Sequence, residues 1–157
     1  MDRETARPLM EQLRNETHAL HQQAERQPLQ TELMRGRLPR LHFIAYLEQL
    51  FLIHQRLESH FATAIIDDPT VAHIIRPHHY HAPYLKQDLH DFGRHPQHVQ
   101  PLHTTTQFLT WLDQMASQIP LALLGVHYVL EGSKNGGVFQ AVKVRQAYDL
   151  AGRAGTV

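Results

Sequence analysis

The amino-acid sequence predicts an all-α protein. Apolar residues recur at helical spacing over long stretches, and no stretch of useful length shows the alternation typical of a β-strand. Prolines and glycines fall mainly between these stretches, where they separate one predicted helix from the next. A chain of 157 residues suits one domain with one core. We therefore expect a single multi-helix bundle over residues 1–157.

The predicted helices follow one another along the chain, and several have recognisable ends. Pro39 lies just ahead of the longest apolar run, as suits a helix start. Asp67-Asp68-Pro69 predicts a turn, with Asp68 or Thr70 as the N-cap of the short helix that follows. The last helix is expected to bend at its glycines. The predicted segments are 11–24, 41–64, a short helix ending at 75, 84–92, 104–119 and 121–150.

Composition excludes several classes of protein. Fifteen basic and fifteen acidic residues give a net charge of zero, which does not favour nucleic acid or an anionic membrane as partner. The absence of cysteine excludes disulfides, thiolate iron sites and cysteine zinc sites. No apolar run approaches the roughly 20 residues that span a bilayer, and the polar N-terminus has no signal-peptide core. We expect a cytoplasmic protein.

Fourteen histidines are unusual for this length. The tract 76–81 contains three of them beside a proline, and could hold a stray transition metal. We interpret this tract instead as a solvated connector broken by proline.

The first candidate site lies near the N-terminus, where Thr17, His21 and Glu25 are spaced i, i+4 and i+8 and share one helix face. Neutral imidazole is a common axial ligand of haem iron, and a carboxylate one turn away can orient the ring. The same spacing also fits a partly buried histidine satisfied by Glu25 without any metal. The residues alone leave both interpretations open.

A second histidine–carboxylate pair, His54 and Glu58, has the same i, i+4 spacing. Together with His42, Glu25 and Glu131 it could build a di-iron site inside a bundle. The paired Glu-x-x-His motifs of such sites are absent, which disfavours this interpretation.

The second candidate site lies near the C-terminus, where three glycines interrupt an apolar helical run. Gly132, Gly136 and Gly137 each cost about 1 kcal/mol against alanine in a helix. Close packing of two helices could explain one or two of them. Three glycines, with Ser133 and Asn135 between them, better fit a helix whose backbone approaches a flat ligand and whose polar groups organise water there.

The two sites together resemble the haem oxygenases, particularly the short bacterial enzymes that are associated with phytochromes and produce biliverdin. His21 and its neighbours resemble the proximal helix of that family, and the run 128–137 resembles its distal helix. Gly36 and the segment 85–89 match further family positions between them. The resemblance covers nearly the whole chain.

This resemblance implies a haem-oxygenase-like helical fold and the oxidative opening of haem b, with O2, to biliverdin, iron and carbon monoxide. His21 would be the axial ligand of the iron, Glu25 would orient it, and Arg14 would face a propionate. The implied haem-binding residues are Arg14, Thr17, His21, Glu25, Gly132, Gly136 and Gly137. The implied catalytic residues are Gly132, Ser133, Asn135 and Gly136. Electrons would come from an external reductase or ferredoxin, because no flavin or nicotinamide fingerprint is present.

The sequence departs from the family pattern in two places. Ser133 occupies a position where many members carry aspartate. The phytochrome-associated branch also has serine at this position. The chain also ends at Val157, soon after the distal helix, whereas members usually continue for two more helices. Either the sequence is a truncated form, or the protein covers the exposed apolar surface by homodimerisation, and we expect such self-association. A haem-binding carrier, sensor or degenerate homologue is one alternative, and a non-haem member of the same helical superfamily is another.

Overall fold

The computed structural model describes the backbone of residues 9–150 and the side chains of residues 11–132 and 141–150. All regular structure in this part of the chain is helical, as predicted. Single turns of 3-10 helix lie at Pro77–His79, Pro96–His98 and Pro120–Ala122. The α-helices are α1 (Leu9–Glu25), α2 (Pro28–Met34), α3 (Arg40–Asp67), α4 (Pro69–Ile74), α5 (Ala82–Asp91), α6 (His103–Gln118) and α7 (Leu123–Tyr148).

Each predicted helix is present, with ends that differ by a few residues. Asp68 is the N-cap of α4, and its carboxylate accepts hydrogen bonds from the backbone N–H groups of Thr70 and Val71. Helix α2 was missed, because seven residues are too few to show a helical period. It begins with Pro28 and contributes the buried side chain of Leu33.

The interior consists of two apolar clusters. The first core contains Leu33, Leu38, Phe43, Ile44, Leu47, Phe51, Leu85, Leu89, Phe92, Val99 and Val144. The second core contains Leu57, Phe61, Val71, Ile75, Leu112 and Leu123. Helix α3 contributes to both, since its first half faces one core and its second half the other. A fully buried leucine in either core stabilises the fold by about 1.5–3 kcal/mol.

Helix α7 also joins the two cores. It begins at the second core with Leu123 and reaches the first core with Val144. The helix is unbroken from Leu123 to Tyr148, so the glycines do not interrupt it, and the expected bend there stays a prediction. Gly132 therefore lies between the two points at which α7 is anchored.

Helix α1 lies outside both cores. It contacts α2, and its described side chains are mostly exposed, including Leu20 at 67%. Because α1 does not pack into either core, its polar side chains remain accessible.

None of the helices in the described part of the chain is both long enough and apolar enough to cross a membrane.

Candidate functional site

His21 and Glu25 lie one turn apart on α1, as the spacing predicts. The imidazole Nδ1 is 3.4 Å from Oε1 of Glu25, slightly longer than a direct hydrogen bond. A small side-chain rotation would let the carboxylate accept the Nδ1–H, which leaves Nε2 on the opposite side of the ring as a lone-pair donor. The side chains are 62% and 66% exposed. His21 is therefore exposed rather than partly buried, and its binding of a metal stays a prediction.

The neighbours of His21 on α1 differ in what they contact. The Thr17 hydroxyl donates to the backbone carbonyl of Leu13 at 2.8 Å, so it bonds to its own helix. His18 is exposed and pairs with Gln22 through their side-chain nitrogens at 3.0 Å. Arg14 is exposed, which leaves its guanidinium accessible to an anionic group.

Gly132 is exposed, and the direction in which a Cβ would project is open. A methyl group built there would meet no described atom within 4 Å, and the same holds for Gly125 earlier in α7. Close packing of two helices would bring neighbouring atoms into that direction. The described structure therefore gives no helix-packing reason for the glycine at position 132.

The other predicted residues of this segment are Ser133, Asn135, Gly136 and Gly137. They lie in α7, but everything beyond their helical backbone is outside the described residues. Gly132 and Gly136 are one turn apart in this helix and share a face. The roles expected of all four residues stay predictions.

A polar cluster joins three parts of the fold, and sequence reasoning missed the part of His81 in it, although His54, Glu58 and Glu131 were among the residues considered for a di-iron site. Oε1 of Glu58, in α3, accepts the backbone N–H groups of His81 and Ala82 at 2.6 and 2.9 Å. Nε2 of His81 lies 2.9 Å from Oε1 of Glu131, in α7. His54 lies on the other side, with Nδ1 3.5 Å from the Glu58 carboxylate.

The interpretation of tract 76–81 as a solvated connector is therefore wrong in part. His78 is exposed, but His79 and His81 are half-buried against the bundle. The ring of His79 lies 4.5 Å from the ring of His127, in α7. Residues 79 and 81 thus meet positions 127 and 131. The spacing of the histidines within the tract gives no signal of these contacts.

The Tyr80 side chain lies in the same region. Burial raises the pKa of its phenol, and the nearby negative charge of Glu58 raises that pKa further. The electrostatic influence of Glu58 thus extends beyond the backbone groups that it binds.

The di-iron interpretation fails for the side chains that the structure describes, because no three histidine or carboxylate groups among them converge as metal ligands. Glu58 instead binds the N-terminal backbone of α5. Glu25 is exposed on α1, and His42 is exposed on α3.

A groove of about 660 Å³ lies between α3, α5 and the turn at Pro96–His98. Its described lining includes Phe51, Lys86 and Pro96 but no residue of α1 or α7. It offers no imidazole to a metal, so we do not assign the candidate site to it.

Comparison with known proteins agrees with this architecture. The family model described as haem oxygenase matches residues 7–157. Haem oxygenase-1 from the cyanobacterium Synechocystis, solved in complex with haem, matches with a TM-score of 0.85 and 23% sequence identity. The match covers 93% of this chain and 66% of that one, so this chain spans about two thirds of that protein's length. At this identity the structural likeness shows the fold alone.

No curated protein matches the sequence significantly. The family model nevertheless covers nearly the whole chain. This chain belongs to the haem oxygenase family.

Proposed function

We propose that this protein is a haem oxygenase that opens haem b oxidatively to biliverdin, iron and carbon monoxide, using O2 and external electrons. The observation that carries the proposal is the accessible imidazole of His21 with the Glu25 carboxylate beside its Nδ1, within a chain of this family. The phytochrome-associated branch is supported by the run 128–137.

The described residues fit a haem. A neutral imidazole with a carboxylate partner is the usual arrangement of a histidine ligand to iron. The open Cβ direction at Gly132 offers bare backbone to a flat ligand. Arg14, two turns before His21, offers a cation for a propionate.

When bound, haem supplies redox-active iron and is itself the substrate whose ring is opened. His21 would hold the iron through Nε2, and Glu25 would hold the proton on Nδ1 so that Nε2 keeps its lone pair. Arg14 would bind a haem propionate and so restrict the rotation of the ligand.

Helix α7 would cover the side of the haem opposite His21. Gly132 and Gly136 carry no side chain on the face of the helix that they share, so the backbone there could approach a flat ligand closely and would restrict the space beside it. We propose that Ser133 and Asn135 hold ordered water, with Ser133 taking the place of the aspartate common in the family. Gly137 extends the same bare surface, and Thr17 lines the proximal helix beside His21.

The proposed partners follow from the chemistry. The sequence carries no flavin or nicotinamide fingerprint, so electrons come from a separate reductase or ferredoxin. Large exposed apolar side chains on and between α6 and α7, such as Trp111, Leu121 and Val129, support the expected homodimer. Sedimentation of the purified protein at two concentrations tests the dimer.

A hemin titration tests the haem site. The parent should give a saturable Soret band, and His21→Ala should lose tight iron ligation while keeping its helical circular dichroism. His18→Ala is the matched control, because His18 is exposed on the same helix but pairs with Gln22. Equal hemin spectra for the parent and His21→Ala would contradict the assignment.

Turnover separates the enzyme from its alternatives. With reductant and oxygen, a haem oxygenase loses its Soret band as a bilin absorbance rises. A haem carrier or sensor keeps the His21-dependent band but forms no bilin. A non-haem member of the superfamily shows no saturable change with hemin.

A further inference from the structure

We propose that His81 is a positioning residue for α7: through Glu131 it fixes the helical turn just before Gly132, and so sets how closely that backbone approaches haem. This inference rests on the proposed function, since it concerns the distal side of the same site. It assigns a role to a histidine tract that the expected haem-binding residues do not include.

The first step is the anchoring of His81 itself. The Glu58 carboxylate is buried and accepts the N–H groups of His81 and Ala82, which are the residues at the start of α5. Those N–H groups have no partner within their own helix, and the helix dipole favours a negative charge beside them. Glu58 thus ties the connector to α3, the longest helix of the fold.

The second step is the contact with α7. His81 is half-buried, and its Nε2 lies 2.9 Å from Oε1 of Glu131, at hydrogen-bond distance. Glu131 immediately precedes Gly132. A carboxylate paired across 50 residues therefore lies beside the glycine whose Cβ direction is open.

The third step is that a second contact fixes the same stretch one turn earlier. His127 is buried, with its ring 4.5 Å from that of His79 and 5.7 Å from that of Phe61. Two successive turns of α7 thus contact His79 and His81 of tract 76–81. Such a paired contact resists both rotation and sliding of the helix, whereas one contact would leave rotation free.

The segment of α7 that follows Glu131 has a weak helical preference, so a restraint at Glu131 affects it strongly. Gly132, Gly136 and Gly137 weaken the helical preference of the segment that follows, by about 1 kcal/mol each. No described atom lies within 4 Å of the Cβ direction at Gly132, so no described packing contact restrains the helix on that side. The contact at Glu131 is the last described polar restraint before the glycines.

The test compares His81→Ala with His81→Gln, whose amide nitrogen reaches about as far as Nε2 and keeps a donor for Glu131. The matched control is His60→Ala, which removes another half-buried imidazole–carboxylate contact, 2.7 Å from His60 to Asp113 between α3 and α6. Glu131→Ala and the double variant His81→Ala/Glu131→Ala complete a cycle.

Two measurements are made on each protein. Hydrogen exchange of the α7 amides is followed in the haem-free protein, and the C–O stretching band is recorded for the ferrous carbonyl complex. His81→Ala should speed exchange around residues 128–136, shift or broaden the C–O band, and weaken hemin binding about threefold to tenfold, as for loss of one hydrogen bond. His81→Gln should restore all three, and His60→Ala should change none of them.

The possible outcomes distinguish failure of this inference from failure of the proposed function. Unchanged exchange in His81→Ala, or changed exchange with an unchanged C–O band, would overturn the positioning role. A double variant much worse than either single variant would show that His81 does not act through Glu131. If the parent protein does not bind hemin, the proposed function is wrong, and this inference is wrong with it. If the parent binds hemin, the results for the variants test the role of His81 separately from the proposed function.

Discussion

The hydroxyl of Tyr148, at the end of α7, donates a hydrogen bond of 2.6 Å to the backbone carbonyl of Leu38, in the link between α2 and α3. The two residues are 110 positions apart. The Tyr148 ring also lies 5.5 Å from that of Phe43. This contact fastens the far end of the helix that carries Gly132, and its removal gives the first prediction.

Tyr148→Phe should lower the free energy of unfolding by about 1–2 kcal/mol, because it removes the donor and leaves the carbonyl of the buried Leu38 without it. The ring remains, so its packing on Phe43 is kept. Urea unfolding followed by circular dichroism measures the change. Tyr84→Phe, in which an exposed tyrosine is changed, is the control, and equal losses in both variants would contradict the prediction.

Stability should fall at alkaline pH. Burial raises the pKa of Tyr46 and of Tyr148 above that of a phenol in the unfolded chain, which is about 10. A raised folded-state pKa means that the folded state holds the proton more tightly. The stabilisation is thus fully present below pH about 10 and is lost as pH rises through the folded-state values.

The measurement is the free energy of unfolding between pH 8 and pH 11. It should be nearly constant at first and then fall above pH about 10. The free energy of unfolding of Tyr148→Phe should fall less steeply with pH. Part of its remaining slope should come from Tyr46. If the free energy of unfolding falls with pH in parallel for the parent and the variant, Tyr148 does not contribute to the loss of stability at alkaline pH.

Gly132→Ala should make the haem-free protein more stable and the haem complex weaker. The added methyl group meets no described atom, so the helical preference of alanine should stabilise the fold by about 0.5–1 kcal/mol. If bare backbone at this position faces haem, the same methyl group lowers hemin affinity or alters the bilin isomer.

Gly125→Ala is the matched control, since it lies in the same helix with an equally open Cβ direction. It should stabilise the protein to a similar extent and leave hemin binding unchanged. Equal hemin affinity for both variants would remove the argument that Gly132 faces the ligand. A bulky replacement at Gly136 should block haem or change the bilin isomer in the same assay.

Glu25→Gln should weaken hemin binding by up to about tenfold and lower the frequency of the iron–histidine stretch in the ferrous complex. An amide accepts the Nδ1–H of His21 less strongly than a carboxylate does, so, if His21 binds iron as proposed, the imidazole becomes a weaker donor to it. Resonance Raman spectroscopy measures the stretch. Gln22→Ala, which removes the partner of His18 on another face, should leave it unchanged.

Local sequence patterns predicted the helical class, six of the seven described α-helices, and the His21–Glu25 pair. These features depend on spacing within one helix, which a period of 3.6 residues fixes before any packing occurs. The N-cap at Asp68 was predictable for the same reason, because its partners are two and three residues away. The short helix α2 carries too little of the period to be recognised.

The packing of the helices determined which polar residues meet across the fold. His81 and Glu131 are 50 positions apart, and nothing local in tract 76–81 indicates that two of its histidines turn inward. It also decided that α1 lies outside both cores and leaves His21 exposed, where spacing alone allowed a buried histidine. Burial and long-range contacts depend on how the helices pack, and that arrangement is a property of the whole chain.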